Sequence, residues 1–147
     1  MHNESFKVSS TYQCWTPVSL RFGDTDAVGH INNAVFATLF EQGRATALFN
    51  GTEALSEPGT TFVLASIKLD FLAEMHFPGT ARVGTKINSF GRSSIKLGQA
   101  IFLDDKCCAI SEDVIVLIDV ATRKSVPVTA ETRRIIESRV QTFSPTC

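Results

Sequence analysis

One apolar helical segment set among several long strand-like runs is the feature that most limits what this chain can fold into. Residues 33–49 place Val35, Phe36, Leu39, Phe40, Gly43 and Ala47 on one face at helical spacing. Asn32 is the expected N-cap, and Asn50-Gly51 the expected stop. Gly43 costs helix propensity, which predicts a close approach between this helix and a sheet. After a loop rich in Gly, Pro, Ser and Thr (51–61), period-2 patterns run over 63–71, 81–90, 93–103 and 108–120, each with one polar face. Residues 14–22 supply a first strand, where Pro17 favours an edge or a bulge. Short breaks at Gly91-Arg92 and Asp104-Asp105-Lys106 predict antiparallel hairpins. Pro127 ends the sheet, and Thr129 to Val140 forms a short charged helix. A lone helix cannot cover both faces of a five-stranded sheet. The sheet should therefore curl around it, giving an α+β domain with a long central helix in a curved, mainly antiparallel five-stranded sheet. The chain, 1–147, reads as a single domain whose first 12 residues are polar and loose.

The bulk numbers set boundaries on partners. With 147 residues and 44% hydrophobic content, the chain has enough apolar side chain for a proper core. Its formal net charge of −1 offers no whole-chain attraction to nucleic acid or to an acidic membrane surface. No apolar run approaches the ~20 residues of a membrane span, and the polar N-terminus has no secretory h-region. Cys14, Cys107, Cys108 and Cys147 form no Cys-x-x-Cys, and His2, His30 and His76 are scattered, so zinc-site spacing is absent. Reduced thiols in a cytoplasm are the expectation, with no cofactor and no metal.

The chemistry is concentrated in Arg21-Phe-Gly-Asp-Thr-Asp-Ala-Val-Gly-His-Ile-Asn-Asn33. A folding signal alone would need one N-cap and one glycine. Here two carboxylates, Asp24 and Asp26, stand a few residues before a helix start. Free N–H groups at such a start can hold a developing negative charge, and Asn33 is placed to offer one. Either acid is ionised near neutral pH and could act as nucleophile or general base, and the residues alone do not choose between them. His30 is a candidate base, ligand or loop-holding residue. Glu41 and Arg44 lie one turn apart and are expected to pair. His76-Phe-Pro-Gly79 reads as a strand-to-strand turn. Arg92, Ser93, Ser94 and Lys96 sit at a hairpin and its outgoing strand, where they could grip phosphates. Cys107-Cys108 has no neighbouring base in the sequence and carries no expected nucleophilic role.

These segments resemble the 4-hydroxybenzoyl-CoA thioesterase type of hotdog-fold acyl-CoA thioesterase. The signature is similar in Asp24-Thr-Asp26, Gly29-His30, Asn32-Asn33 and the downstream Glu41 and Arg44. The likeness extends more loosely to Ile67-Lys-Leu-Asp-Phe-Leu72, the turn from Pro78 to Gly84, and Gly91-Arg-Ser-Ser94. The resemblance implies that the second Asp of the pair, Asp26, is the catalytic carboxylate. It implies an oxyanion-binding N–H near Asn33, with His30 in the same candidate set. It also implies that Arg92, Ser93, Ser94 and Lys96 lie near coenzyme A phosphates. Homodimers joined sheet edge to sheet edge, often paired into tetramers, with active sites at the subunit interface, are further implications. The family's usual Tyr is Phe36 here, so any role of that hydroxyl is lost. The expected function is hydrolysis of an acyl-CoA to free acid and coenzyme A. The alternatives are a non-catalytic acyl-binding hotdog protein, or a hydroxyacyl dehydratase using His76, which the absence of a following helix disfavours.

Overall fold

The computed structural model describes residues 4–142. His2, Cys147 and the first three residues of the segment expected to be loose lie outside them. The chain runs through β1 (Cys14–Ser19), α1 (Asn33–Leu48), a small hairpin of β2 (Phe49–Asn50) and β3 (Glu53–Ala54), then β4 (Thr60–Phe71), β5 (Thr80–Phe90), β6 (Ser94–Leu103), β7 (Lys106–Asp119) and α2 (Ala130–Thr142). Five strands form one antiparallel sheet in the order β1-β5-β6-β7-β4. Pro17 lies on β1, at the sheet edge, where its missing N–H costs no ladder bond. The first strand is shorter than expected, because the chain leaves it at Ser19 and makes a 3₁₀ turn over Phe22–Asp24.

Helix α1 starts where the sequence says it should. The Asn32 side chain accepts the Ala34 N–H at 2.9 Å, satisfying one of the helix's orphan donors. Phe36, Leu39, Phe40, Gly43 and Ala47 are buried against the sheet. Gly43 is needed for that contact: a Cβ there would meet Val83 Cγ1 at 2.6 Å and Gln99 Nε2 at 2.7 Å. The buried Gln99 amide donates to the Phe40 carbonyl at 3.1 Å and to Thr85 Oγ1 at 2.9 Å, so it is satisfied beneath the helix.

Arg44 corrects one expectation. It does not pair with Glu41, which is exposed; it is buried, with Nη1 3.6 Å from an Asp113 oxygen and 3.4 Å from Gln99 Oε1. The i,i+3 pair loses to a tertiary one because Arg44 is buried beside the buried Asp113 carboxylate while Glu41 faces solvent. Burial pushes the Asp113 carboxyl up to about 6, with Arg44 opposing the shift.

The N-terminal segment differs as well. Residues 4–12 form two short 3₁₀ turns that bring Phe6 and Tyr12 onto the outer face of the sheet, both buried. They cluster with Ala100, Phe102 and Ile110, and Trp15 packs at the margin. Gly84 and Gly98 make room, since a Cβ at either would lie within 3 Å of a Tyr12 or Phe6 ring atom. The Tyr12 hydroxyl donates to the Phe6 carbonyl at 2.7 Å. Lys86 lies 4.6 Å from the Phe6 ring centre and 5.0 Å from that of Tyr12. A segment counted as polar thus holds two aromatics that bury a sheet face, and β6 is buried on both sides instead of one.

The opposite edge is bare. β4 pairs only with β7, and Val63, Leu64 and Ile67 on it are 37–43% exposed. One long helix cradled in a curved antiparallel sheet is the hotdog arrangement.

Candidate functional site

The loop between β1 and α1 is built by two carboxylates with opposite duties. Asp24 is buried; its Oδ2 accepts the Arg21 N–H at 2.9 Å, and its Oδ1 accepts from the Arg21 guanidinium at 2.7 and 3.1 Å. That guanidinium holds the Asp24 carboxyl below the usual carboxylate range. The Asp24 carbonyl accepts the Asn32 N–H at 2.9 Å, which sets the N-cap in place. Both carboxylate oxygens and the carbonyl of Asp24 are thereby occupied in folding the loop.

Asp26 is only half-buried and is held differently. Its Oδ1 accepts the Val28 N–H at 2.9 Å, an Asx turn. Its backbone bonds close a tight hairpin: Asp26 N–H donates to the His30 carbonyl at 3.1 Å, and Gly29 N–H to the Asp26 carbonyl at 3.0 Å. Gly29, at φ 98°, supplies the turn that an L side chain would strain. Thr25 bridges Ile31 across it. Among the described residues nothing bonds the second carboxylate oxygen of Asp26.

At the start of α1, Ala34 N–H goes to the Asn32 side chain and Val35 N–H to the Asn32 carbonyl. The Asn33 N–H has no partner among the described residues, so the helix's positive end presents one donor. Asn33 and His30 line one cavity of about 240 Å³, together with Phe36 on α1, Phe71 at the end of β4, and Leu72 and Glu74 just past it. Asp26 belongs to the same loop but does not line that cavity. Glu74 is a residue that sequence reasoning missed. It lies 3.6 Å from His30 Nε2 and 3.5 Å from His76 Nε2, and no local signal could have announced it because β4 is remote in the chain. His76-Phe-Pro-Gly79 is a strand-to-strand connection leading into β5, with no helix after it, as expected.

Arg92, Ser93, Ser94 and Lys96 are gathered at the β5–β6 hairpin, with Arg92 and Lys96 exposed. The turn's backbone is fixed: the Arg92 carbonyl accepts the Val128 N–H at 2.8 Å, and the Ser93 carbonyl the Leu117 N–H at 2.9 Å. Arg133 on α2 joins them, donating to the Gly91 carbonyl at 2.8 Å and lying 5.2 Å from the Phe90 ring centre. Sequence spacing gave no hint of this third cation.

The two groups lie at opposite ends of the sheet. Leu20, which leads into the Asp26 loop, bonds Gly79 beside the first residue of β5, whereas Arg92 follows its last residue. At about 3.3 Å per residue, the length of β5 separates them by roughly 33 Å. Burial pushes the Cys107 thiol up to about 11, and the Cys108 thiol upward as well, away from reactivity. Among the described residues no cluster of His, Cys, Asp or Glu has the form of a metal site. No helix among them is long and apolar enough to cross a membrane.

Comparison with known proteins places this geometry among relatives. A family model described as the thioesterase-like superfamily matches residues 20–136. An uncharacterized protein of Bacillus subtilis, YsmA, is 32% identical over 89 residues, and the match spans 60% of this chain and 60% of that protein. A predicted thioesterase from Bacillus stearothermophilus superposes with a TM-score of 0.76 at 26% identity, over 88% of this chain and 98% of that one. A Thermus thermophilus thioesterase solved with coenzyme A and zinc superposes with a TM-score of 0.72 at 26% identity, over 85% of this chain and 98% of that one. The PA5185 protein of Pseudomonas aeruginosa, at 24% identity and a TM-score of 0.78 over 92% of this chain and 96% of that one, shares the fold.

Proposed function

Because the chain belongs to the thioesterase-like superfamily, we propose that it hydrolyses acyl-CoA thioesters, with Asp26 as the reacting carboxylate. The observation that carries the reading is the unbonded Asn33 N–H. It opens at a helix start onto the His30 cavity, in a loop whose other acid, Asp24, is consumed by Arg21. The thioester carbonyl would take that N–H as its oxyanion donor, helped by the dipole of α1. Asp26 then either takes a proton from a water that attacks the carbonyl carbon, or attacks that carbon itself to form a mixed anhydride, which water afterwards hydrolyses to the free acid and the regenerated carboxylate. The tetrahedral oxyanion collapses, the C–S bond breaks, and coenzyme A leaves as its thiol. His30, which lines the same cavity, would carry a proton to the leaving sulfur.

The substrate's nucleotide end would bind Arg92, Ser93, Ser94 and Lys96. A single copy cannot bring these to Asp26 across roughly 33 Å of sheet. Two copies can. A strand edge with exposed Val63, Leu64 and Ile67 invites pairing. If two β4 edges pair antiparallel about a two-fold axis, the Asp26 end of one copy falls beside the Arg92 end of the other. This supports a homodimer with the site between subunits. Pairing of such dimers into a tetramer stays within the proposal.

The test is a thiol-release screen over acyl-CoA chain lengths. Turnover by the wild type that Asp26→Asn lowers by about 10²-fold or more supports the reading. No thiol release on any acyl-CoA would overturn it. After single turnover in ¹⁸O water, label in the aspartate would mark attack by Asp26 itself, with the mixed anhydride opened at the aspartyl carbonyl.

A further inference from the structure

The connection between β4 and β5 does more than turn the chain. Met75 is fully buried, and its carbonyl accepts the Ile31 N–H at 2.8 Å, which docks this connection on the Asp26 loop. The residues on either side of Met75 then meet that loop with their side chains. His76 Nδ1 lies 3.2 Å from the Gly29 carbonyl oxygen, and its Nε2 lies 3.5 Å from Glu74 Oε2. The other Glu74 oxygen lies 3.6 Å from His30 Nε2, and the two imidazoles stand edge to face with centres 6.0 Å apart. A backbone carbonyl and a carboxylate only accept hydrogen bonds. His76 thus presents one ring nitrogen to the Gly29 carbonyl and the other to the Glu74 carboxylate.

We propose that Glu74 and His76 are positioning residues for the candidate site. His76 ties the Gly29 carbonyl to Glu74, Glu74 holds the His30 ring beside the Asn33 cavity, and the chain of contacts fixes the hairpin that carries Asp26. The link to catalysis rests on the proposed function; the clamp itself does not. Gly29 sits within the tight turn closed on Asp26, so a ring that grips its carbonyl grips the turn. The other charged groups nearby come from the β6–β7 turn. Asp104 and Lys106 share a cavity of about 400 Å³ with Glu74 and His76, and neither makes an ion pair with them among the described residues. Exposed pairs at these distances contribute little to stability, so the clamp's effect is on geometry. Geometry is what the site needs, because a displacement of about 1 Å at a reacting group can cost on the order of 10²-fold in rate.

The experiment compares the wild type with His76→Ala and His76→Asn. It reads amide exchange across residues 26–33 together with kcat and KM on an acyl-CoA that the wild type hydrolyses. The Asn side-chain amide can still donate to the Gly29 carbonyl from the Nδ1 position but cannot reach Glu74. His76→Ala should speed exchange at Gly29 to Asn33 roughly three- to tenfold and lower kcat by a similar factor with KM unchanged. His76→Asn should recover only the part of each that the Gly29 bond carries, leaving the part carried through Glu74 lost, and the melting temperature should move little in either. Wild-type exchange in His76→Ala would overturn the clamp whether or not the protein turns over thioesters. Faster exchange with unchanged kcat would overturn its role in positioning. A wild type inactive on every acyl-CoA would instead overturn the proposed function, while the exchange comparison still decides the clamp.

Discussion

At one end of the sheet, the hairpin from Thr25 to Ile31 holds its acid through an Asx turn, two backbone hydrogen bonds and a strand bridge. At the other end, Arg92 stands exposed on a turn whose backbone alone is anchored, with Lys96 exposed near the start of β6. The difference matches what each end would do. Bond-making chemistry needs a carboxylate within a fraction of an ångström of its target. Attraction between cations and a phosphate falls off slowly with distance and tolerates mobile side chains. The Asp26 end also contains the contrast in miniature, since Asp24 is locked and Asp26 keeps one oxygen unbonded.

The largest effect should separate the two acids. Asp26→Asn should cost about 10²-fold or more in kcat while leaving the circular dichroism and melting temperature unchanged. Asp24→Asn should instead lower the melting temperature, because it weakens the part-buried bonds to Arg21 that shape the loop. An Asp24→Asn protein with a normal melting temperature and less turnover than Asp26→Asn would reverse the two roles.

Next comes the joining of the two ends. Val63→Lys with Leu64→Lys should charge the bare β4 edge, leave a monomer of about 16.0 kDa by light scattering at micromolar concentration, and remove most turnover. Full activity in such a monomer would show that one copy is enough. It would also break the argument that two copies bring the ends together.

A smaller, more selective effect is expected at the hairpin. Arg92→Ala should raise KM for acyl-CoA several-fold with little change in kcat, as loss of uniform binding does. The penalty should shrink in high salt, where the Debye length falls well below the ~10 Å of 0.1 M, and on a pantetheine thioester that lacks the nucleotide phosphates. An equal penalty on both substrates would remove the phosphate role from this end.

The smallest effect lies between the ends, under α1. Asp113 titrates near 6 when folded, above its ordinary 3.8, so the folded state holds its proton more tightly than the unfolded chain. Its contribution to stability is therefore most favourable below about pH 4 and is lost as the pH rises through about 6. Denaturant melts of wild type and Asp113→Asn should differ in pH slope across that window by on the order of 1–2 kcal/mol. Parallel slopes would mean that Arg44 fully offsets the burial.

Local rules carried the elements. The α1 N-cap at Asn32, its close-packed glycine and the β-hairpins follow from capping, propensity and period-2 alternation, all of which act within a few residues. The motif around Asp24 and Asp26 was equally legible, because its spacing relative to a helix start is written along the chain. The preference for Asp26 came from resemblance, and only the fold shows Asp24 spent on Arg21. Four other features needed tertiary contact. Phe6 and Tyr12 look like members of a polar tail until Gly84 and Gly98 open seats for them on the sheet. Arg44 looks like a partner for Glu41 until Asp113, 69 positions along the chain, is buried beside it. Glu74 and His76 meet the Asp26 loop, and Arg133 meets the hairpin, only because remote segments pack there. The sequence by itself thus determined which backbone each stretch adopts and which chemistry it carries, since those depend on neighbours along the chain. Which polar groups are partnered, and which stand ready at the site, was decided by the tertiary structure, since burial and distance exist only once distant segments are packed together.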